Sequence, residues 1–448
     1  MSLKPFEIRE ALGPDGKATE TYRRFHGRVQ RGFHEDPGTR GVQDYLAQEY
    51  QHEGFVYRGF EETEPAPEWA GTTPRPVSTI VGFPRAMNVG AATVGTWAIS
   101  GVGVASSHRR RGLLRTMMTE ELRTAQGEGF ALSALTASEG GIYGRFGYGV
   151  STRSCDYELD IRRSPRVLPS ALESTGAIRG SILEAEPLKM LGLAEELAQR
   201  IARNRPGQMN RLRTHIKNNL GIVDLHNDSI EAVRNREAFV YCGVSGPEGF
   251  LVLEHQGYES DPPRAKIVDF QAATPAASVG LWNHLFTVDL LDVVDFKDAP
   301  GMALSSILQD PRAVRSKGEA DLIWTRILDV VKVLEARKYG RDGKIVLLVD
   351  DPLGLITGAY ALEVRNGAAK VTPADGLGAP GRRGDHAVDD CALSPSATRV
   401  RFPADRLASA VFRGCALEAQ YGVVLGEGAE EAAEMFAVKS EPYCDFGF

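Results

Sequence analysis

Among the residues whose types and spacing could do chemistry, the run His108-Arg109-Arg110-Arg111-Gly112 stands out because it separates two segments of different periodicity. Before it, Trp97 to Ala105 is rich in apolar and β-prone residues, which predicts a buried strand. After it, Leu113, Leu114, Met117, Met118, Leu122 and Ala125 recur at helical spacing and form one apolar face. Gly127 and Gly129 suit the end of that helix. Phe130 to Ala137 predicts a second buried strand. The first N–H groups of a helix have no internal partner and carry the positive end of its dipole. A glycine there lets an anion approach the backbone, so such turns bind phosphate. The arginines add full charges. An arbitrary basic run is more often a solvated turn; its place between a buried strand and an amphipathic helix favours the phosphate site.

Two other readings of a basic glycine turn are disfavoured. A nucleic-acid patch sits poorly with a net charge of −7 and with arginines that have no aromatic residues among them. A nucleotide triphosphatase loop would need G-x-x-x-x-G-K-[ST], which is absent. Downstream, Ser138-Glu139-Gly140-Gly141-Ile142-Tyr143-Gly144-Arg145-Phe146-Gly147-Tyr148-Gly149 is a glycine-rich loop with two tyrosines. From the residues alone, Tyr143 and Tyr148 are equal candidates for packing or for proton transfer.

Arg109-x-x-Gly112 at a strand-to-helix turn resembles the pyrophosphate loop of the GNAT superfamily of N-acetyltransferases. Leu114 departs from that pattern, standing where Gly or Ala is usual. HRRRGLLR followed by SEGGIYGRFGYG resembles, more specifically, the Eis (enhanced intracellular survival) branch. The resemblance implies acetyl-CoA as cosubstrate, held by the backbone of Val102 and Val104, by Arg109, Arg110, Gly112 and Leu113 at the turn, and by Ser138. It implies Tyr143 as the general acid that protonates the departing thiolate, a transfer that two neighbouring pKa ranges permit. Tyr148 is then the packing residue. It implies that the terminal carboxylate of Phe448 is the base, and that the loop holding Phe33 and Glu35 faces the amine substrate. Gly447 departs, standing where an acidic side chain can add to the substrate site, and Asp445 is a candidate to compensate. The implied substrate is a polyamine-like compound such as an aminoglycoside. A protein lysine is the alternative acceptor, and a non-enzymatic hydrophobic-ligand carrier the alternative function. The implied assembly is a hexamer.

The elements that position these residues fall into three blocks, of an α/β (α+β) class. Residues 1–165 are expected to form the catalytic GNAT domain. Helices are predicted at Glu20 to Gln30 and Gln43 to His52, and strands at Glu53 to Phe60 and Val77 to Met87, with a turn-rich Gly71 to Pro76 between the strands. Residues 166–318 repeat that layout, but Ala272 to Ala277 replaces the basic turn, so a second, degenerate GNAT domain without cofactor is expected. There Ile178 to Glu184, Ala238 to Val244, Phe250 to His255 and Ala265 to Ala272 predict strands. Leu188 to Arg203 and Ser278 to Asp289 predict helices, and Asp289 to Asp295 reads as a wall of the substrate cleft or, in preference, as a solvated helix end. Residues 319–448 resemble a sterol-carrier-protein-like domain. Trp324 to Arg337, Ala404 to Leu417 and Glu430 to Phe436 predict helices there. Ile345 to Asp350, Gly358 to Val364 and Ala368 to Thr372 predict strands, with Asn366-Gly367 as a hairpin turn.

At 448 residues the chain exceeds one ordinary domain. No long uninterrupted apolar run predicts a membrane span, and the first residues lack the apolar core of a secretory signal. The five cysteines are scattered and read as reduced thiols of a cytoplasmic protein. The nine histidines show no H-E-x-x-H, so no metal is expected. An acidic surface favours a cationic acceptor, and no nucleic-acid partner is expected.

Overall fold

The computed structural model describes residues 3–64, 67, 69, 74–163, 165–257, 259–373 and 398–448. Of the turn expected from Gly71 to Pro76, residues 71–73 lie outside the described residues, as does Cys391, while Arg75 and Pro76 already belong to the following strand. The chain forms two compact units. One comprises residues 1–152, 322–442 and 447–448; the other comprises 153–321 and 443–446. The units part at 152/153 and 321/322, whereas the sequence placed boundaries at 165 and 318.

The first stretch runs β1 (Leu3–Ile8), α1 (Glu20–Gly32), α2 (Arg40–His52), β2 (Val56–Glu62), β3 (Arg75–Asn88) and β4 (Thr93–Val104). It continues through α3 (Leu113–Gly127), β5 (Leu132–Leu135), the single turn α4 (Gly140–Tyr143) and β6 (Gly149–Val150). Thr19 and Thr39 cap α1 and α2, each accepting an N–H from the third residue on. The core between α3 and the sheet holds Trp97, Ile99, Met117, Met118, Leu122 and Ala125, the same apolar face that the helical spacing marks.

The second unit contains β7 (Arg153–Asp160), α5 (Pro169–Thr175), β8 (Ser181–Ala185), α6 (Leu191–Asn204) and α7 (Arg213–Asn219). It goes on through β9 (Arg236–Gly243), β10 (Gly246–His255), β11 (Arg264–Ala272), α8 (Pro275–Leu285), β12 (Val293–Asp298), α9 (Leu304–Ile307) and β13 (Val314–Asp321). Its sheet has the order β13-β7-β12-β11-β10-β9-β8. Strand β11, helix α8 and parallel strand β12 repeat the arrangement of β4, α3 and β5. The expected helix end at Asp289 to Asp295 is corrected. Helix α8 stops at Leu285, and Val293 begins β12, where Asp295 takes ion pairs from Arg264 (2.6 Å) and Lys317 (2.9 Å). The first half of the strand expected at Ile178 is a short 3-10 turn ahead of β8.

The last stretch returns to the first unit. The single helix expected from Trp324 to Arg337 is instead β14 (Trp324–Ile327) followed by α10 (Val330–Glu335). Strand β14 enters the first sheet, giving the order β1-β2-β3-β4-β5-β14-β6. It pairs antiparallel with β5 from Trp324 opposite Leu135 to Ile327 opposite Leu132, and with β6 on its other side. Asp329 caps α10 by accepting the Lys332 N–H, which ends the extended segment. A third sheet, order β17-β16-β15-β18, follows from β15 (Gly343–Asp350), β16 (Gly358–Arg365), β17 (Ala368–Pro373) and β18 (Arg399–Pro403). Asn366 and Gly367 both take positive φ in its hairpin, as foreseen. Helices α11 (Ala404–Arg413), α12 (Ala416–Gln420) and α13 (Ala429–Met435) complete it; α11 and α12 divide the single helix expected there. Arg326 and Asp351, both without solvent exposure, pair at 2.5 Å and tie β14 to the loop after β15.

Candidate active site

The first sheet splays. Strands β4 and β5 are paired only from Thr96 opposite Leu132 to Ala98 opposite Ala134. Beyond Ala98, β4 continues to Val104 with β3 on one side. Val102 and Val104 therefore lie on a stretch of β4 that has left β5, both half-buried. The register with β3 shifts here, and Gly101 takes φ +56°, with its carbonyl accepting from the Thr79 hydroxyl at 2.8 Å. A bulge of this kind re-aims the backbone of the following residues.

At the end of β4 the chain makes a short turn over Ser106–His108. His108 is buried, with Nε2 at 3.1 Å from a carboxylate oxygen of Glu62 and Nδ1 at 2.9 Å from Ser107 Oγ. Glu62 also pairs with Arg75. Arg109 and Arg110 are exposed, and Arg110 has positive φ. Gly112 caps α3 with φ +81°, a conformation that glycine adopts without steric cost. No side chain caps α3, so its opening N–H groups have no side-chain acceptor. Leu113, the first helical residue, is half-buried. Helix α3 is held to the sheet by Glu121, which accepts Trp97 Nε1 at 2.7 Å and Arg58 Nη1 at 2.8 Å.

The glycine-rich loop leaves the end of β5. Ser138 is exposed at its start. Tyr143 is 6% exposed, and its ring meets Tyr148 edge-on at 6.1 Å. Burial raises the Tyr143 pKa above the ordinary phenol value, and the Glu139 carboxylate raises it further, against a hydrogen bond with Ser138. Tyr148 is wholly enclosed, with Oη at 2.7 Å from Ser133 Oγ. It packs, as expected.

Phe448 reaches the same strand end. Its backbone N–H donates to Thr136 Oγ1 at 3.1 Å, one residue beyond β5. Its ring meets Phe83 edge-on at 5.3 Å, and Phe83 stacks on Phe55 at 4.1 Å, which stacks on Tyr50 at 4.2 Å. The opening beyond Ala98 thus has the β4 edge on one side, and the β5 end with Thr136, Ser138 and Phe448 on the other. Sequence reasoning passed over Thr136, Phe83 and Glu62, and gave His108 no role beyond its place at the head of the basic run. The aromatic spacing of Tyr50, Phe55 and Phe83 was the available signal for a ring seat.

Phe33 and Glu35 lie in the loop after α1, both exposed. Phe33 caps the helix and is 46% exposed. Glu35 donates its N–H to Gln30 O, while its carboxylate has no hydrogen bond or ion pair among the described residues. Asp445 does not serve as a substrate acid, which corrects that expectation. In the second unit it accepts from Arg211 Nε at 3.1 Å and from Gln208 and Gln271 at 2.8 Å each. Burial alone would raise its pKa; the Arg211 and Arg205 charges and the two amide donors hold it at about 2. Its charge is already compensated.

Comparison with known proteins accounts for this layout. Residues 19–151 match a family described as Acetyltransferase (GNAT) domain, and residues 221–327 match a second family of the same description. An uncharacterized N-acetyltransferase of Streptomyces avermitilis is 37% identical over 311 residues, 67% of this chain and 72% of that protein. N-acetyltransferase Eis of Mycobacterium tuberculosis is 32% identical over 307 residues, covering 67% and 72%. The chain belongs to the Eis family of GNAT N-acetyltransferases.

The Eis fold extends over the whole length. The crystal structure of Eis1 from Mycobacterium abscessus superposes with a TM-score of 0.73 at 22% identity, covering 100% of both chains. A GCN5-related N-acetyltransferase from Anabaena variabilis superposes equally well at 17% identity. In this Eis-family enzyme the second GNAT copy differs at its helix start. Thr274 Oγ1 caps α8 by accepting the Ala277 N–H at 3.1 Å and donates to Glu248 at 2.7 Å. A side-chain cap and a carboxylate occupy the place where the first copy leaves N–H groups open. GNAT acetyltransferases use acetyl-CoA, and no group of side chains among the described residues could hold a metal ion. No helix among them is long and apolar enough to cross a membrane.

Proposed function

We propose that this enzyme transfers acetyl directly from acetyl-CoA to a primary amine of a polycationic small molecule, aminoglycosides being the representative class. The observation that carries this reading is the convergence of three features on one opening. They are an unpaired β4 edge, an uncapped helix start beside the arginine run, and a β5 end that holds Phe448 and leads into the loop carrying Tyr143.

The N–H groups of Gly112 and Leu113, with Arg109 and Arg110, hold the pyrophosphate at the positive end of α3. The backbone of Val102 and Val104 pairs with the pantetheine as an added strand would, and Ser138 contacts the cofactor. The Val102 N–H polarises the thioester carbonyl. The acceptor arrives as an ammonium and must lose a proton, which the Phe448 carboxylate takes directly or through water. The amine nitrogen then attacks the carbonyl carbon, the C–S bond breaks, Tyr143 gives its proton to the thiolate, and the second proton that the nitrogen loses returns through water to the tyrosinate. No covalent enzyme intermediate is needed. Burial and Glu139 keep Tyr143 protonated for this role. Phe33 and Glu35 offer an aromatic face and a carboxylate to the ammonium groups. The acidic balance of the chain, net −7, draws such a substrate in. A hexameric assembly belongs to the same reading and is measured by light scattering.

The test is thiol release from acetyl-CoA with aminoglycosides, diamines and lysine peptides as acceptors. Release with aminoglycosides is the expected result. Release with peptides alone would replace the small molecule by a protein lysine. Failure to bind acetyl-CoA would favour a hydrophobic-ligand carrier.

A further inference from the structure

The chain has more acidic than basic side chains, and several of its half-buried and buried arginines pair with carboxylates; on α1, Arg23 pairs with Asp44 at 2.5 Å. Arg28, one turn later, does not. Its Nε is buried without a hydrogen-bond partner, and among the described residues no carboxylate pairs with it. Its charged neighbours are Arg31 and Arg109, both positive; burial first, and then these two charges, push its pKa below the usual arginine value. Arg109 and Arg110 likewise have no carboxylate partner among the described residues. Helix α1 lies across β4 at the bulge, since the methyl groups of Val29 would stand 3.5 Å from a Cβ placed on Gly101. Arg28, the preceding residue, is therefore held beside the unpaired part of β4, on the approach to the arginine turn. A half-buried guanidinium with cations for neighbours and no counter-ion costs stability in the free protein. An anion is the group that would relieve it.

We propose that Arg28 binds a phosphate group of acetyl-CoA, supplying from α1 a contact that the arginine turn does not provide. This rests on the acetyl-CoA reading given above. Guanidinium suits the task because its forked donors match phosphate oxygens and it stays charged when half-buried.

The experiment is calorimetric binding of CoA and of 3′-dephospho-CoA to the full-length chain, as wild type, Arg28→Gln and Arg28→Lys. Loss of one charge-assisted hydrogen bond predicts CoA binding weakened by about tenfold or more in Arg28→Gln. Arg28→Lys should recover part of it, and the affinity of Arg28→Gln should depend less on salt. If the two proteins bind dephospho-CoA equally, the contact is the 3′-phosphate; equal weakening of both ligands assigns it to the pyrophosphate. Thermal melting supplies the readout that a structural role would move the other way. The ligand-free Arg28→Gln protein should melt no lower than wild type, because a crowded, desolvated charge has gone. CoA binding in Arg28→Gln within twofold of wild type overturns the proposal, as does a lowered melting temperature that accompanies the lost affinity. A wild type that binds neither ligand overturns the acetyl-CoA reading itself.

Discussion

Replacing Tyr143 by Phe removes one oxygen from the candidate site and leaves the ring. The ring is 6% exposed and packs in the cluster formed with Trp97, Met117 and Phe146, so the variant keeps its apolar contacts. What it loses structurally is the hydroxyl alone, a polar group whose removal costs at most about 1 kcal/mol. If the phenol protonates the thiolate, the chemical step loses a general acid, a contribution of about 10²- to 10⁴-fold. The expected result is therefore kcat lowered at least about 100-fold, with KM for acetyl-CoA nearly unchanged and the melting temperature slightly reduced. The pH profile carries a second check. The acid must be protonated to work, and burial with Glu139 raises its pKa above the phenol value. Wild-type activity should then persist through pH 9 and decline from this group only at pH above about 10. Thiol release followed by a colorimetric thiol reagent measures both quantities. A fall in kcat below tenfold, or equal losses in kcat and acetyl-CoA affinity, would show that Tyr143 packs and does not donate.

Three further outcomes follow from buried charges and from the chain end. Arg337, 1% exposed, donates to the carbonyls of Lys338, Val411, Ala410 and Phe436, so Arg337→Met should cost about 3 kcal/mol or more, read as a lowered denaturant midpoint. Arg211→Met strands Asp269 and Asp445 and should cost about 3–5 kcal/mol. Because the folded-state pKa of Asp445 is lowered to about 2, its stabilisation is full above the unfolded value near 4 and is lost as pH falls toward 2. In Arg211→Met the acid unfolding transition, followed by circular dichroism, should move to higher pH. Appending residues after Phe448 moves the terminal carboxylate away while sparing the ring on Phe83 and the N–H on Thr136. Turnover should fall about 100-fold with melting unchanged, and normal turnover would remove that carboxylate from the chemistry.

Local chemistry made the first GNAT region readable. The strand, basic turn and helix from Trp97 to Gly127 announce themselves by a change of period, and the structure places them within a few residues. The Asn366-Gly367 hairpin is equally local. What the sequence hid depends on distant partners. Trp324-Thr325-Arg326-Ile327 joins smoothly to Val330, Val333 and Leu334 at helical spacing, so a strand of four residues was read as a helix. Its identity comes from β5 and β6, which lie far away in sequence. Asp295, the last acid of the run from Asp289, resembles part of a solvated helix end because its cations, Arg264 and Lys317, come from other strands. Asp445 looked available for the same reason: Arg211 is more than 230 positions away (|i−j| = 234). The roles of Arg109, Gly112 and Tyr143 were suggested by their motifs, whereas Thr136 and Phe83 carry no motif and are recognised by what they touch.

The insertion of β14 into the first sheet bears on how the enzyme is made. Ser151 Oγ bonds Thr325 Oγ1 across 174 positions, and Gln126 donates to Leu328 O across 202. Until that segment leaves the ribosome, one edge of β5 has no strand to cover it. At about 5–20 residues per second, 174 residues take roughly 9 to 35 s. Throughout that interval the nascent first GNAT region presents an open, apolar sheet edge, the kind of surface that chaperones bind and that pairs with other chains. An N-terminal fragment ending near residue 152 would keep that edge permanently. The first GNAT region is therefore poorly suited to dissection from the rest, and its seat for Phe448 is filled only when that distant residue has been synthesised.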